Sequence, residues 1–159
     1  MKSRIQLGDV FEFETSKGKA ILHFIGKSYR PGSGEFIRVL EGLYLTLPEK
    51  LEEIVTSKER YIILFPCILA FRAKMIKKLG NVSHEKFQIP KIMKLEEIVR
   101  GEFKGWYLID PNTKNRKFVK NLNEKEKQIN PSGIWNPALL KERLEKNWSI
   151  DEWNRSYGD

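Results

Sequence analysis

Two phenylalanines set one residue apart, Phe11 and Phe13, run directly into Ser16-Lys17-Gly18. Val10, Glu12 and Glu14 alternate with them, with Asp9 just before. A period of two belongs to a strand, and this one should be half-buried with its phenylalanines inward. Ser16-Lys17-Gly18 is the short, glycine-containing link of a hairpin. Residues 19–25 then read as the returning strand. A chain that opens this way commits to a sheet. His23 lies in that second strand, on the face opposite Leu22 and Phe24. No second ligand stands at useful spacing, so it reads as a packed or surface histidine.

The remaining segments extend the sheet and add short helices. Residues 26–34 hold Pro31, Gly32, Ser33 and Gly34, a turn-rich loop with Tyr29 and Arg30 at its tip. Residues 35–40 predict a third strand. Pro48 precedes Leu51, Ile54 and Val55 at helical spacing, with Glu49, Glu52 and Glu53 in the early turns, where the helix dipole favours negative charge. Residues 60–65 are almost continuously apolar, as in a buried central strand, and Pro66 ends the run or marks an edge. Residues 68–79 fit either period: Leu69, Phe71, Ala73 and Met75 alternate, whereas Leu69, Ala73 and Ile76 recur helically. Strand is the favoured reading.

Gly80-Asn81 turns the chain, and Phe87-Gln88-Ile89-Pro90 is extended because a residue before proline avoids the helical region. Residues 95–99 predict a helical turn, 104–110 a strand, 110–115 a turn, and 116–122 its partner strand. Residues 123–128 suggest a helical turn. Asn136-Pro137 is a helix start with an asparagine cap and a proline at the first helical position. Leu139, Leu140 and Leu144 share one side of that helix, and a polar, aromatic tail follows from Ser149. The expected architecture is a single α+β domain over residues 1–159. It should be mainly a strongly bent antiparallel sheet, with a few short helices and a C-terminal helix.

The chain has 159 residues, 40% of them apolar and 11% aromatic, enough for one core. Cys67, the single cysteine, stands in an apolar run and has no partner for an internal disulfide. The opening residues lack the apolar centre of a signal peptide. Residues 61–71, interrupted by Pro66, reach about half the length of a membrane-crossing helix. The expectation is a cytoplasmic protein with no membrane span. The net charge of +8 favours an acidic partner of some kind.

Five stretches in order resemble the immunity protein 26 family of bacterial polymorphic toxin systems. Gly8-Asp9-Val10-Phe11 is similar to that family's opening, and Ile63-Leu64-Phe65-Pro66 to its middle strand. Residues 74–81, ending in Gly80-Asn81, resemble a segment that Phe87-Gln88-Ile89-Pro90 then follows. Gly105-Trp106-Tyr107-Leu108-Ile109-Asp110 is similar to a late Trp-Tyr strand and turn. The resemblance covers residues 5–120, and 121–159 form a helix and tail outside it. In one departure, Met75 stands where many members place a tryptophan before the Gly-Asn pair. The resemblance implies a small α+β protein that binds and silences a cognate protein toxin, with no catalytic residues and no cofactor.

The residues agree with a binding protein. Pro31-Gly32-Ser33-Gly34 lacks the lysine and helix of a phosphate-cradling loop. His23 and His84 are the only histidines, and one cysteine excludes a thiolate zinc site. Glu96 and Glu97 would point about 100° apart on a helix. The alternative is a basic, sheet-based nucleic-acid-binding module. Lys114, Arg116, Lys117 and Lys120 decorate the late hairpin, Arg72, Lys74, Lys77 and Lys78 another segment, and Trp106 and Tyr107 lie near the first group. Trp106 has apolar neighbours and is expected in the core. For a protein partner, the anchor candidates are Tyr29 and Arg30 on the loop, then Trp153 and Tyr157 in the tail, because Tyr, Trp and Arg dominate interface energetics.

Overall fold

A computed structural model describes residues 4–30 and 32–157. The fold is α+β, with its strands divided between two antiparallel sheets. The larger contains β1 (Asp9–Thr15), β2 (Gly18–Lys27), β3 (Glu35–Leu40), β4 (Glu59–Phe65) and β5 (Lys77–Asn81), in the order β4-β3-β2-β1-β5. The smaller contains β6 (Met93–Val99), β7 (Glu102–Ile109) and β8 (Arg116–Val119), in that order. Helices α1 (Leu51–Val55), α2 (Cys67–Arg72), α3 (Pro137–Glu145) and α4 (Ile150–Ser156) are all short. A 3-10 turn spans Glu126–Gln128.

The opening hairpin forms as its sequence predicts. Thr15 pairs with Gly18 across a two-residue turn, and the Thr15 hydroxyl donates to the Gly18 carbonyl at 2.6 Å. Phe11 and Phe13 face inward beside Leu22 and Phe24. The strand is more than half-buried, however, because Val10 and Glu12 on its other face are covered too. Their face carries α1 and residues around Val82 and Phe87. The acids of β1 are matched by lysines: on this face Lys19 lies 2.8 Å from Glu12, and at the start of the strand Lys78 lies 3.1 Å from Asp9.

Both faces of the five-stranded sheet are therefore packed. One carries Phe11, Phe13, Leu22, Phe24, Ile37, Val39, Tyr61, Ile63 and Phe65 against α2, α3, Trp135 and Trp148. The other divides into two apolar groups, one around Val10, Ile21 and Leu40, the other around Ile25, Phe36, Leu64 and Met93. Polar side chains join the second face. Arg38, almost wholly buried, donates through Nη1 to the Val55 carbonyl at 2.8 Å and to His23 Nδ1 at 3.2 Å. Its Nη2 donates to the Ser57 carbonyl at 3.1 Å, and its Nε pairs with Glu59. Phe87 closes over this group, 3.7 Å from the guanidinium carbon to the ring centre.

Three segments differ from the expectation. Residues 68–79 are not one strand. Pro66 turns the chain into α2, which Glu35 helps to start by accepting from the Ile68 amide at 3.0 Å. Lys74, at φ 60°, and a bond from the Met75 amide to the Ala70 carbonyl stop the helix, and β5 follows; it runs through Gly80-Asn81, the expected turn, because these two residues pair with Val10 and Asp9 of β1. Residues 95–99 belong to β6 rather than a helical turn, because Leu95 and Ile98 pair with Tyr107 and Phe103 of β7. Finally, β4 is an edge strand and β2 the central one. The apolar run of β4 is nevertheless buried, because residues 130–135 cover its edge. Asn130 Oδ1 accepts from the Ile62 amide at 2.7 Å, and the Trp135 amide donates to the Leu64 carbonyl at 2.9 Å. The same strap bonds β6 through Lys94, linking the two sheets.

The asparagine cap of α3 forms as predicted, with Asn136 Oδ1 accepting from the Leu139 amide at 2.8 Å. The aspartate turn forms as well, with Asp110 Oδ1 accepting from the Asn112 amide. No helix among the described residues is long and apolar enough to cross a membrane.

Candidate partner-docking site

The loop between β2 and β3 leaves the central strands at one end of the larger sheet, and the chain turns from β4 into α2 at the same end. Between them lies a cavity of about 390 Å³. Pro66, Ile68 and Leu69 supply its apolar wall, and Lys27 and Arg30 stand on the loop side. Gly34 takes φ 80°, and a Cβ there would approach the Phe65 carbonyl oxygen to 3.0 Å, so the loop can lie close against the end of β4 only with glycine. Loop bonds from the Arg30 amide to Ser28 Oγ and from the Ser33 amide to the Arg30 carbonyl fold the tip.

The electrostatics of this end are one-sided. Among the described residues, Glu35 is the only acid lining the cavity, and it is buried. Burial pushes its carboxyl above the ordinary glutamate value, against the backbone amides of Ile68 and Cys67, which hold it down. Lys27 and Arg30 pair with no carboxylate among the described residues. Two apolar side chains stay out in solvent here, Leu69 at 65% exposure and Tyr29 at 60%.

Of the four candidate anchors, Tyr29 and Arg30 are exposed at this end. Trp153 and Tyr157 lie elsewhere, against the three-stranded sheet. Trp153 is 8% exposed, and its indole N–H donates to Glu96 at 3.0 Å. Its ring meets Trp106 at 5.0 Å and Trp148 at 5.5 Å. Tyr157, half-buried, stacks on Phe103 at 4.9 Å. These two side chains hold α4 onto the sheet. Sequence reasoning missed Lys27, Glu35, Ile68 and Leu69. Reading α2 as a helix would have brought Leu69 and Arg72 onto one outer face, three residues apart.

Other reactive side chains are committed to structure. His23 donates from Nε2 to the Val82 carbonyl at 2.8 Å, so its Nδ1 accepts from Arg38, which can only donate. Burial, with Arg38 adding to it, lowers the imidazole below its ordinary value. Cys67 is buried, and desolvation pushes its thiol far up, away from the thiolate a nucleophile needs. Among the described residues, no three His, Cys, Asp or Glu side chains gather as metal ligands.

The motifs that carry the family resemblance occupy joints of the fold. Asp9 Oδ1 accepts from Asn81 Nδ2 at 2.9 Å, bringing the Gly-Asp and Gly-Asn pairs together. Phe87 covers Arg38 and His23, and Trp106 is interior. No family model, curated protein or solved structure matches the chain.

Proposed function

We propose that this chain is an immunity protein: a cytoplasmic, non-catalytic binder that silences a cognate toxin domain of a bacterial polymorphic toxin system. The carrying observation is the end of the larger sheet, where Tyr29 and Leu69 are exposed beside a cavity and two cations have no carboxylate partner among the described residues. Exposed aromatic, aliphatic and arginine side chains on a loop and a short helix at the end of a sheet suit a surface built to clasp another protein. The ordered resemblance of five segments to the immunity protein 26 family supports the same reading.

The double substitution Tyr29→Ala plus Arg30→Ala tests it. Both side chains are exposed, so Tm should stay unchanged while affinity for the toxin domain encoded beside the gene falls about tenfold or more. A lowered Tm with unchanged affinity would make the pair structural and remove this end from the interface.

A second reading rests on the open face of the three-stranded sheet. Tyr107 and Phe118 pair there, Phe118 is 47% exposed, and Arg116 sits 4.9 Å over the Tyr107 ring. Aromatics beside an arginine can stack single-stranded bases. Binding of an oligonucleotide that weakens with salt and is lost in Phe118→Ala would favour it.

A further inference from the structure

We infer that the cavity between the β2–β3 loop and α2 receives one apolar side chain from an acidic segment of a partner protein. The inference deepens the reading of this end as the docking end and names the chemistry of what docks. At about 390 Å³, the space is near the lower end of ligand cavities, which run from about 300 Å³. That is room for a large apolar side chain together with parts of the residues beside it, and too little for a folded loop. Its apolar wall is Pro66, Ile68 and Leu69. Leu69 continues this wall out into solvent, so an inserted side chain would bury Leu69 as well as itself.

Charge fixes the sign of the flanking residues. Lys27 and Arg30 meet no carboxylate among the described residues, and Arg72 stands exposed on the same helix as Leu69. Glu35 offers no counter-charge to a visitor, because its carboxylate points into the α2 amides. A visiting segment with carboxylates beside its apolar residue would satisfy the cations left open. A basic segment would meet like charge from Lys27 and Arg30.

The test uses the full chain, labelled with ¹⁵N, and a synthetic acidic hexapeptide with one central phenylalanine. Saturable amide shifts should centre on Lys27, Ser28, Gly34, Ile68 and Leu69. Replacing the peptide's phenylalanine by serine should weaken binding about tenfold, the worth of burying one large apolar side chain. Leu69→Asp should cost a similar factor, and Arg30→Glu about fivefold, the scale of one exposed ion pair. Leu69 and Arg30 are exposed, so both variants should keep a native spectrum. Absence of shifts at these amides, or equal binding of the serine peptide, would overturn the inference. So would equal shifts from a single-stranded oligonucleotide, because they would show a general anion site. Rescue of toxin-expressing cells without peptide shifts would sink this inference and leave the immunity reading. Peptide shifts without rescue would do the reverse.

Discussion

Single residues in the buried centre of this protein carry opposite burdens. His23 is held neutral by its surroundings: Nε2–H points at a carbonyl and Nδ1 at a guanidinium. Its folded value lies below the unfolded one of about 6.5. A lowered value means that the unfolded chain takes the proton first as pH falls. The stability tied to His23 is thus full above about pH 6.5 and is lost below it, toward the folded value. Denaturant unfolding between neutral and mildly acid pH should show this decline, and His23→Gln should flatten it. An unchanged slope in the variant would place the titration elsewhere. Tyr61 is the converse case. It is packed between Trp135 and Trp148, and its hydroxyl meets no hydrogen-bond partner among the described residues. Leaving a buried polar atom unmatched costs about 1–3 kcal/mol. Tyr61→Phe should therefore leave Tm unchanged or raise it; a clear fall would reveal a partner for that oxygen.

At the scale of elements, the joints decide what forms. Asn130 completes the edge of β4 with its side chain and bonds β6 with its backbone. Asn130→Ala leaves the Ile62 amide unmatched and should cost about 1–3 kcal/mol in chemical unfolding; a loss below a few tenths would mean that the strap adds little. The β6–β7 turn makes a similar case. Arg100 and Gly101 take φ 51° and 79°, the paired positive angles of a two-residue hairpin turn. These details explain which elements were legible in the sequence. The first hairpin was, because its period and turn are local. So were the caps at Asn136 and the turn at Asp110. β6 was misread because Arg-Gly is a weaker turn signal than Asn-Gly, and because its bulge at Glu97/Ile98 breaks the alternation. α2 was misread because the carboxylate that helps to start it comes from Glu35, thirty-three residues earlier. The docking end was half legible for the same reason. Its loop announces itself by Gly and Pro, whereas Ile68 and Leu69 reach it only through the helix that Glu35 supports.

For the whole molecule, the net charge of +8 is the property a partner meets first. Some of it is spent internally, as Lys19 and Lys77 flank Glu12 and Lys78 meets Asp9. Lys27 and Arg30 at the proposed docking end meet no carboxylate among the described residues. Long-range attraction should then speed encounter with an acidic partner, and salt should slow it, since about 0.15 M salt screens charges beyond about 8 Å. Stopped-flow association rates should fall as ionic strength rises while dissociation changes less; a rate indifferent to salt would exclude an acidic partner surface. The most direct measurement of the proposed immunity function is equilibrium binding, by calorimetry, of the purified chain to the C-terminal domain of any large secreted protein encoded beside it. A one-to-one complex with Kd about 1 nM or tighter is expected, weakened by Leu69→Asp. Two folded proteins that stay apart at micromolar concentration would contradict it.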